Sequence, residues 1–111
     1  MSVPNSILAI DIYHISSKGE FGKDFGFRDQ LRRAAVSIAS NIAEGKERET
    51  ISEFIRFLYI AKGSAGELRT QLYIAKEVGY VKDSEYQELN ERLGKISGMV
   101  GNLIKTIKRK K

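Results

Sequence analysis

The chain has 111 residues, a length that fits one domain and is too short for two. Apolar residues are 41% of it and charged residues 30%, an ordinary balance for a soluble globular domain, with a formal net charge of +5. It has no Cys and one His (His14), which excludes disulfides, thiolate metal sites, cysteine nucleophiles and any multi-histidine metal site.

The N-terminus, Met1-Ser2-Val3-Pro4, has neither the basic region nor the apolar core of a secretory signal. No apolar run approaches the ~18 residues of a membrane span. The expected location is therefore cytoplasmic, with no membrane partner. Pro4 is the only Pro, so nothing beyond it forbids long helices. A first helix is expected from about Asn5 to Ser17, carrying Ile7, Leu8, Ile10, Ile12 and Ile15. Its β-branched content would also suit a strand. Gly19, Gly22 and Gly26 mark a loose stretch from Ser16 to Phe27.

A second helix is expected from about Asp24 to Glu44, with Leu31, Ala34, Ala35, Ile38 and Ile42 on one stripe. Gly45 suits the left-handed position after its end. The third helix has the clearest pattern. Ile51, Phe54, Leu58, Ala61, Ala65, Leu68, Leu72 and Ala75 keep the alternating three-and-four spacing of helices packed at a shallow angle. Thr50 or Ser52 can cap its start, and Gly79 ends it. The fourth begins at Asp83 or Ser84 and carries Tyr86, Leu89, Leu93, Ile96, Val100, Leu103 and Ile107. Short connections at Gly45 and Gly79 make consecutive helices antiparallel neighbours. The expected architecture is a single all-α domain spanning residues 1–111, an up-down antiparallel four-helix bundle.

The third helix carries more apolar residues than one seam needs. Phe57, Tyr59, Ile60, Tyr73 and Ile74 lie off it. Gly63 and Gly66 open its middle, at about 1 kcal/mol each relative to Ala. Such a helix packs on two sides. A second subunit is the expected second side, with Phe57, Ile60, Gly63 and Ser64 at the contact; the alternative is a wide core stripe within one subunit.

Patterns for catalysis are weak. His14 is the only base for a serine triad, and it is expected on the surface or partly buried. Gly63-Ser64-Ala65-Gly66 is not a nucleophile elbow and reads as close helix packing. Ala61-Lys62-Gly63-Ser64 has the wrong order for a phosphate-binding loop. Paired carboxylates such as Glu44 and Glu47 have no pocket behind them, and no Glu-x-x-His pair exists for a di-metal bundle. The expectation is a non-enzyme with no metal and no cofactor.

A polar line borders the core of the second helix. With Arg33 at 0° and about 100° per residue, Ser37, Asn41 and Glu44 fall within roughly 80° of it. Half-buried groups there need partners, and Glu53 and Glu67 are the candidates for Arg33. The line reads as a hydrogen-bond network that fixes helix register or subunit packing, or as a ligand surface.

Charge is unevenly placed. From Leu93 to the end stand six basic residues and no acid, so the rest of the chain is close to neutral. Lys105, Lys108, Arg109, Lys110 and Lys111 form a basic end that can meet phosphate, with Arg28 and Arg32 in support. The bland reading is a frayed, solubilising terminus. Arg56, Lys62, Arg69 and Lys76 run along the third helix between Tyr59 and Tyr73, a mixture that can track a phosphate backbone, though acids stand near most of them.

The run Gln30-Leu31-Arg32-Arg33-Ala34-Ala35-Val36-Ser37-Ile38-Ala39-Ser40-Asn41-Ile42-Ala43-Glu44-Gly45 resembles the hallmark of a bacterial family of four-helix bundle proteins, the ribosomal RNA intervening-sequence proteins. Ser52 to Ser64, followed by Glu67-Leu68 and Leu72, resembles its second hallmark, and Leu72 to Tyr80 with Tyr86 its third region. The resemblance covers about Phe25 to Ile107. It implies an up-down bundle assembled as a homo-oligomer, typically a pentameric ring. The related accessory protein of diversity-generating retroelements is thought to bind nucleic acid and a reverse transcriptase through a basic surface. Family-typical positions are Arg33, Ser37, Asn41, Glu44, Gly45, Glu53, Phe54, Gly63, Ser64 and Glu67. Two features depart from the pattern: Ala39 stands where Pro is usual, and the first helix is short. The expected function is binding of RNA or DNA by phosphate contacts. The alternative is a protein-interaction adaptor with a protein partner, such as a polymerase.

Overall fold

A helix with an apolar residue every three or four positions must bury that face, and the longest such run lies at the centre of the bundle. The computed structural model describes the backbone of residues 3–110 and the side chains of residues 6–110. Its helices are α1 (Val3–Ile15), α2 (Gly19–Lys23), α3 (Phe25–Lys46), α4 (Ile51–Glu77) and α5 (Asp83–Lys110). The second, third and fourth expected helices are α3, α4 and α5. The first expected segment is helix rather than strand, and α2 is an added turn in the loose glycine stretch. None of these helices is long and apolar enough to cross a membrane.

α4 packs against α3 on one side and α5 on the other. Leu58, Ala61, Ala65, Leu68, Leu72 and Ala75 are each at most 1% exposed. They meet Leu31, Ala34, Ala35, Ile38 and Ile42 of α3 and Leu89, Leu93, Ile96, Val100 and Ile104 of α5, all in the same core. The start of α4 departs from the expected seam. Ile51 is exposed and Phe54 half-buried, while Ile55 is buried. A straight helix turns every 3.6 residues, so a 3.5-residue pattern drifts around its surface.

Caps hold the ends. The Thr50 hydroxyl accepts from the Glu53 amide at 3.2 Å. At the other end of α4 the Tyr80 amide donates to the Ala75 carbonyl at 2.8 Å and the Gly79 amide to that of Lys76 at 3.0 Å. This is a Schellman ending, and Gly79 has the left-handed φ of 85° that it requires. The Glu85 carboxylate accepts from the Lys82 amide at 2.8 Å, which caps α5.

Gly45 corrects the sequence reading. It lies inside α3, without a left-handed φ, and it is buried. A Cβ there would stand 2.9 Å from Phe54 Cδ1 and 3.0 Å from Phe57 Cβ. The glycine is a close-approach residue where α4 turns back against α3.

α1 packs mainly on α3, and its contact with α5 is thinner. Its 13 residues rise about 20 Å, roughly half the length of α4. Leu8, Ala9 and Ile12 enter the core. Beyond α1 the fourth corner is closed by Phe21 of α2, whose ring stacks on Tyr80 at 5.1 Å and on Phe27 at 5.9 Å. The Tyr80 hydroxyl donates to Asp24 at 2.8 Å.

Gly45→Ala should destabilise the fold by roughly 1–3 kcal/mol in thermal or denaturant unfolding, through the Phe54 and Phe57 contacts. Gly66→Ala, where a Cβ meets nothing within 4 Å, should stabilise it by about 0.5–1 kcal/mol.

The bond to Asp24 and burial raise the Tyr80 phenol above its ordinary pKa. Lys76 is also raised: burial opposes the shift, and Glu77 and Asp83 outweigh it. In both groups the folded state holds the proton more tightly. Their stabilisation is complete below the unfolded values near 10 and is lost as pH rises through the folded ones. Chemical unfolding across that range should show a fall in stability that Tyr80→Phe reduces.

Candidate nucleic-acid interface

The last acid of α5 is Glu91, and the helix continues in order to Lys110. The basic end is thus carried on continuous helix as far as Lys110. At about 100° per residue, Lys105, Lys108 and Arg109 share an arc of roughly 100°, with Lys110 beyond its edge. All four are exposed, and none is in an ion pair among the described residues. Cations in the last turn of a helix are favoured by the backbone dipole, so the array costs the helix little. The Lys108 ammonium donates to the Tyr59 hydroxyl at 2.8 Å and lies 5.1 Å from the ring centroid. Lys111 lies outside the described residues.

Arg28 and Arg32 are placed differently from the sequence reading. The Arg28 guanidinium donates to the Gly22 carbonyl at 3.0 Å and to Asp29 at 3.1 Å. Arg32 donates to Ser16 Oγ at 2.8 Å, Ser17 Oγ at 2.9 Å and the Tyr13 carbonyl at 3.2 Å, and stacks over the Tyr13 ring. Both close the ends of short helices, where backbone carbonyls lack partners. Their donors are turned into the chain rather than presented with those of the basic end. His14 is exposed on α1, and among the described residues no cluster of His, Asp or Glu is placed to hold a metal ion.

The polar line of α3 forms a network in part. The hydroxyls of Ser37 and Ser64 lie 2.8 Å apart, and Asn41 Nδ2 donates to Ser37 Oγ at 2.9 Å and to its carbonyl at 2.8 Å. This pins the register of α3 against α4. The expected partners of Arg33 do not pair with it. Glu53 is in the first turn of α4, at the opposite end of the α3–α4 contact. Glu67 lines the same cleft of about 400 Å³ without an ion pair. Arg33 also borders a second cleft of about 480 Å³ with Tyr13, Val36 and Ser40. Glu44 pairs with Arg48, one turn along.

The residues expected at a subunit contact separate. Ile60 and Gly63 are exposed, and a Cβ on Gly63 would meet nothing within 4 Å. The expected tight packing at Gly63 and Gly66 is therefore absent within the chain. Ser64 is corrected: it is buried and faces Ser37, because it lies one residue beyond the open face. Phe57 is half-buried, with Arg48 and Arg56 guanidinium carbons 4.9 and 4.8 Å from its centroid. Ile74 and Val78 continue the exposed apolar line of α4.

A profile of the 23S rRNA-intervening sequence proteins matches residues 6–102. The chain belongs to that family. A search of the curated proteins found no match. Among solved structures, a protein of unknown function from the S23 ribosomal protein family of Bacteroides thetaiotaomicron is similar, with a TM-score of 0.85 and 25% identity. The similarity covers 92% of this chain and 95% of that one. The family membership fixes the helical fold and names no enzymatic activity.

Arg32→Gln tests the placement of Arg32. It should lower stability by about 0.5–1.5 kcal/mol in thermal unfolding, by removing the bonds to the Tyr13 carbonyl and to the Ser16 and Ser17 hydroxyls that tie α3 to the end of α1. Changes at Lys105 or Lys108, neither of which bonds a backbone carbonyl, should leave stability within about 0.5 kcal/mol in the same measurement.

Proposed function

We propose that this protein is a non-enzymatic homo-oligomer that binds RNA by phosphate contacts at the basic end of α5. The observation that carries the reading is the helical array of Lys105, Lys108, Arg109 and Lys110, free of carboxylate partners among the described residues. The family's description, which ties its members to intervening sequences of 23S rRNA, favours RNA over DNA. Lysines on flexible stems neutralise phosphates and release counterions without reading bases. Contact with about four phosphates of a single strand gives a slope near −3 in log affinity against log salt.

Self-association is supported by the outer face of α4. Ile60, Ile74 and Val78 are 40%, 44% and 57% exposed beside the bare Gly63. A second copy laid there removes apolar surface from water and meets no side chain at the glycine. A ring, pentameric as the family resemblance implies, would repeat the basic end around one assembly and raise its hold on a long polyanion. The same exposed residues favour a second reading, an adaptor that holds a protein partner.

Light scattering coupled to gel filtration, with and without a structured RNA at about 50 and 200 mM salt, decides between them. A ring that takes up RNA only at the lower salt is the expected result. A ring that ignores RNA at both favours the adaptor, and a monomer removes the assembly. Replacing Lys105, Lys108, Arg109, Lys110 and Lys111 by Ala should remove most of the salt dependence; unchanged affinity would overturn the assignment of that end.

A further inference from the structure

The seam between α4 and α5 carries a second feature that the basic end does not account for. Cross-helix contacts mark its course. Tyr59 meets Lys108 at one end. The Lys62 Cε lies 3.5 Å from where a Cβ of Gly101 would stand. Further along, Arg69 Nε donates to Asn90 at 3.0 Å, and Tyr73 meets Tyr86 edge to face at 6.2 Å. Two cations, Lys62 and Arg69, therefore lie between Tyr59 and Tyr73 along one line on the surface.

The charge on this line is of one sign. Lys62 has no ion pair among the described residues, and Arg69 bonds Asn90 through Nε with no carboxylate partner among them. Lys105 lies three residues before Lys108, on the same side of α5. α5 has no acid after Glu91, and Glu67, the only acid within α4 between Glu53 and Glu77, lines the cleft on the α3 side. The line stops at Lys76, whose ammonium is held by Glu77 at 3.3 Å and Asp83 at 3.7 Å.

The surface between the rings is low. A Cβ on Gly66, Gly94 or Gly98 would meet nothing within 4 Å. Tyr59 and Tyr73 are each 49% exposed at the two ends of this low stretch. Fourteen residues of helix separate them by about 21 Å, which spans about six nucleotides of a strand stacked at ~3.4 Å each.

We propose that the α4–α5 seam is a track for a single RNA strand, with phosphates on Lys62, Arg69, Lys105 and Lys108 and unpaired bases stacked on Tyr59 and Tyr73. The inference rests on the RNA-binding reading above and names the form of RNA that the site selects. Base stacking on a tyrosine needs an open base face, which a paired duplex hides. Phosphate contacts alone would accept either form. The outer apolar line of Ile60, Ile74 and Val78 lies on the other side of α4, so a strand in the seam leaves it clear.

The test is fluorescence anisotropy of the full-length protein with labelled oligouridylate of about twelve nucleotides and, separately, an RNA duplex of the same length. The single strand should bind more tightly. The double change Tyr59→Leu and Tyr73→Leu should weaken it about tenfold or more while leaving duplex affinity in place. Lys62→Gln with Arg69→Gln should lower the salt slope for the single strand by about one to two. Circular dichroism of each variant checks that the helices persist. Equal binding of both RNAs, or an unchanged single-strand affinity in the tyrosine variant, overturns the track and leaves RNA binding by the basic end standing. Failure of both RNAs to bind overturns the two together.

Discussion

Everything in this protein is arranged around the burial of one unbroken face of α4. Three leucines and three alanines line it from Leu58 to Ala75, and each of them is almost fully removed from water. A fully buried leucine is worth about 1.5–3 kcal/mol, so this face alone supplies much of the drive to fold. The alanines matter as much as the leucines. With Ala34 and Ala35 opposite, they let α3 and α4 approach until the hydroxyls of Ser37 and Ser64 touch. That closeness in turn demands Gly45, where no Cβ fits between the two helices. α4 thereby fixes its two neighbours, and α5 carries its basic end out from the same core.

The parts of the fold that were legible in the sequence are those set by periodicity. The stripes of α3, α4 and α5 could be read because one face of a long helix repeats at short range. α2 could not be read. It is five residues long, glycine-rich, and held by Phe21 stacking on Tyr80, a contact between residues far apart in the chain. Gly45 shows a related limit: a glycine after a helical run suits either a left-handed ending or a close approach, and only the neighbouring helix separates the two.

The candidate site was legible in the same uneven way. The absence of acids after Glu91 is visible in the sequence, and the structure adds that the cations there stand on ordered helix. Arg28 and Arg32 look like their neighbours in sequence, but the open carbonyls at the ends of α1 and α2 engage them. The pairing of Arg33 with Glu53 failed because two residues on the right faces of antiparallel helices can still lie at opposite ends. On α4 the nearby acids obscured a pattern that the fold resolves: Glu77 and Asp83 neutralise Lys76, and Glu67 faces away from Lys62 and Arg69.

The shortness of α1 has a consequence for how the bundle breathes. A helix of 13 residues is marginal by itself in water, so α1 persists through its neighbours. It leans chiefly on α3, and one ion pair, Arg92 with Asp11 at 2.8 Å, ties it to α5. Its detachment would uncover the side of α3 on which Leu8, Ala9 and Ile12 pack, while α3, α4 and α5 keep their mutual contacts. α1 is therefore expected to open as a unit at lower free energy than the global transition, with its amides exchanging ahead of those of α4. Any contact that covers Ile10 and Val36 would set how often that wall opens.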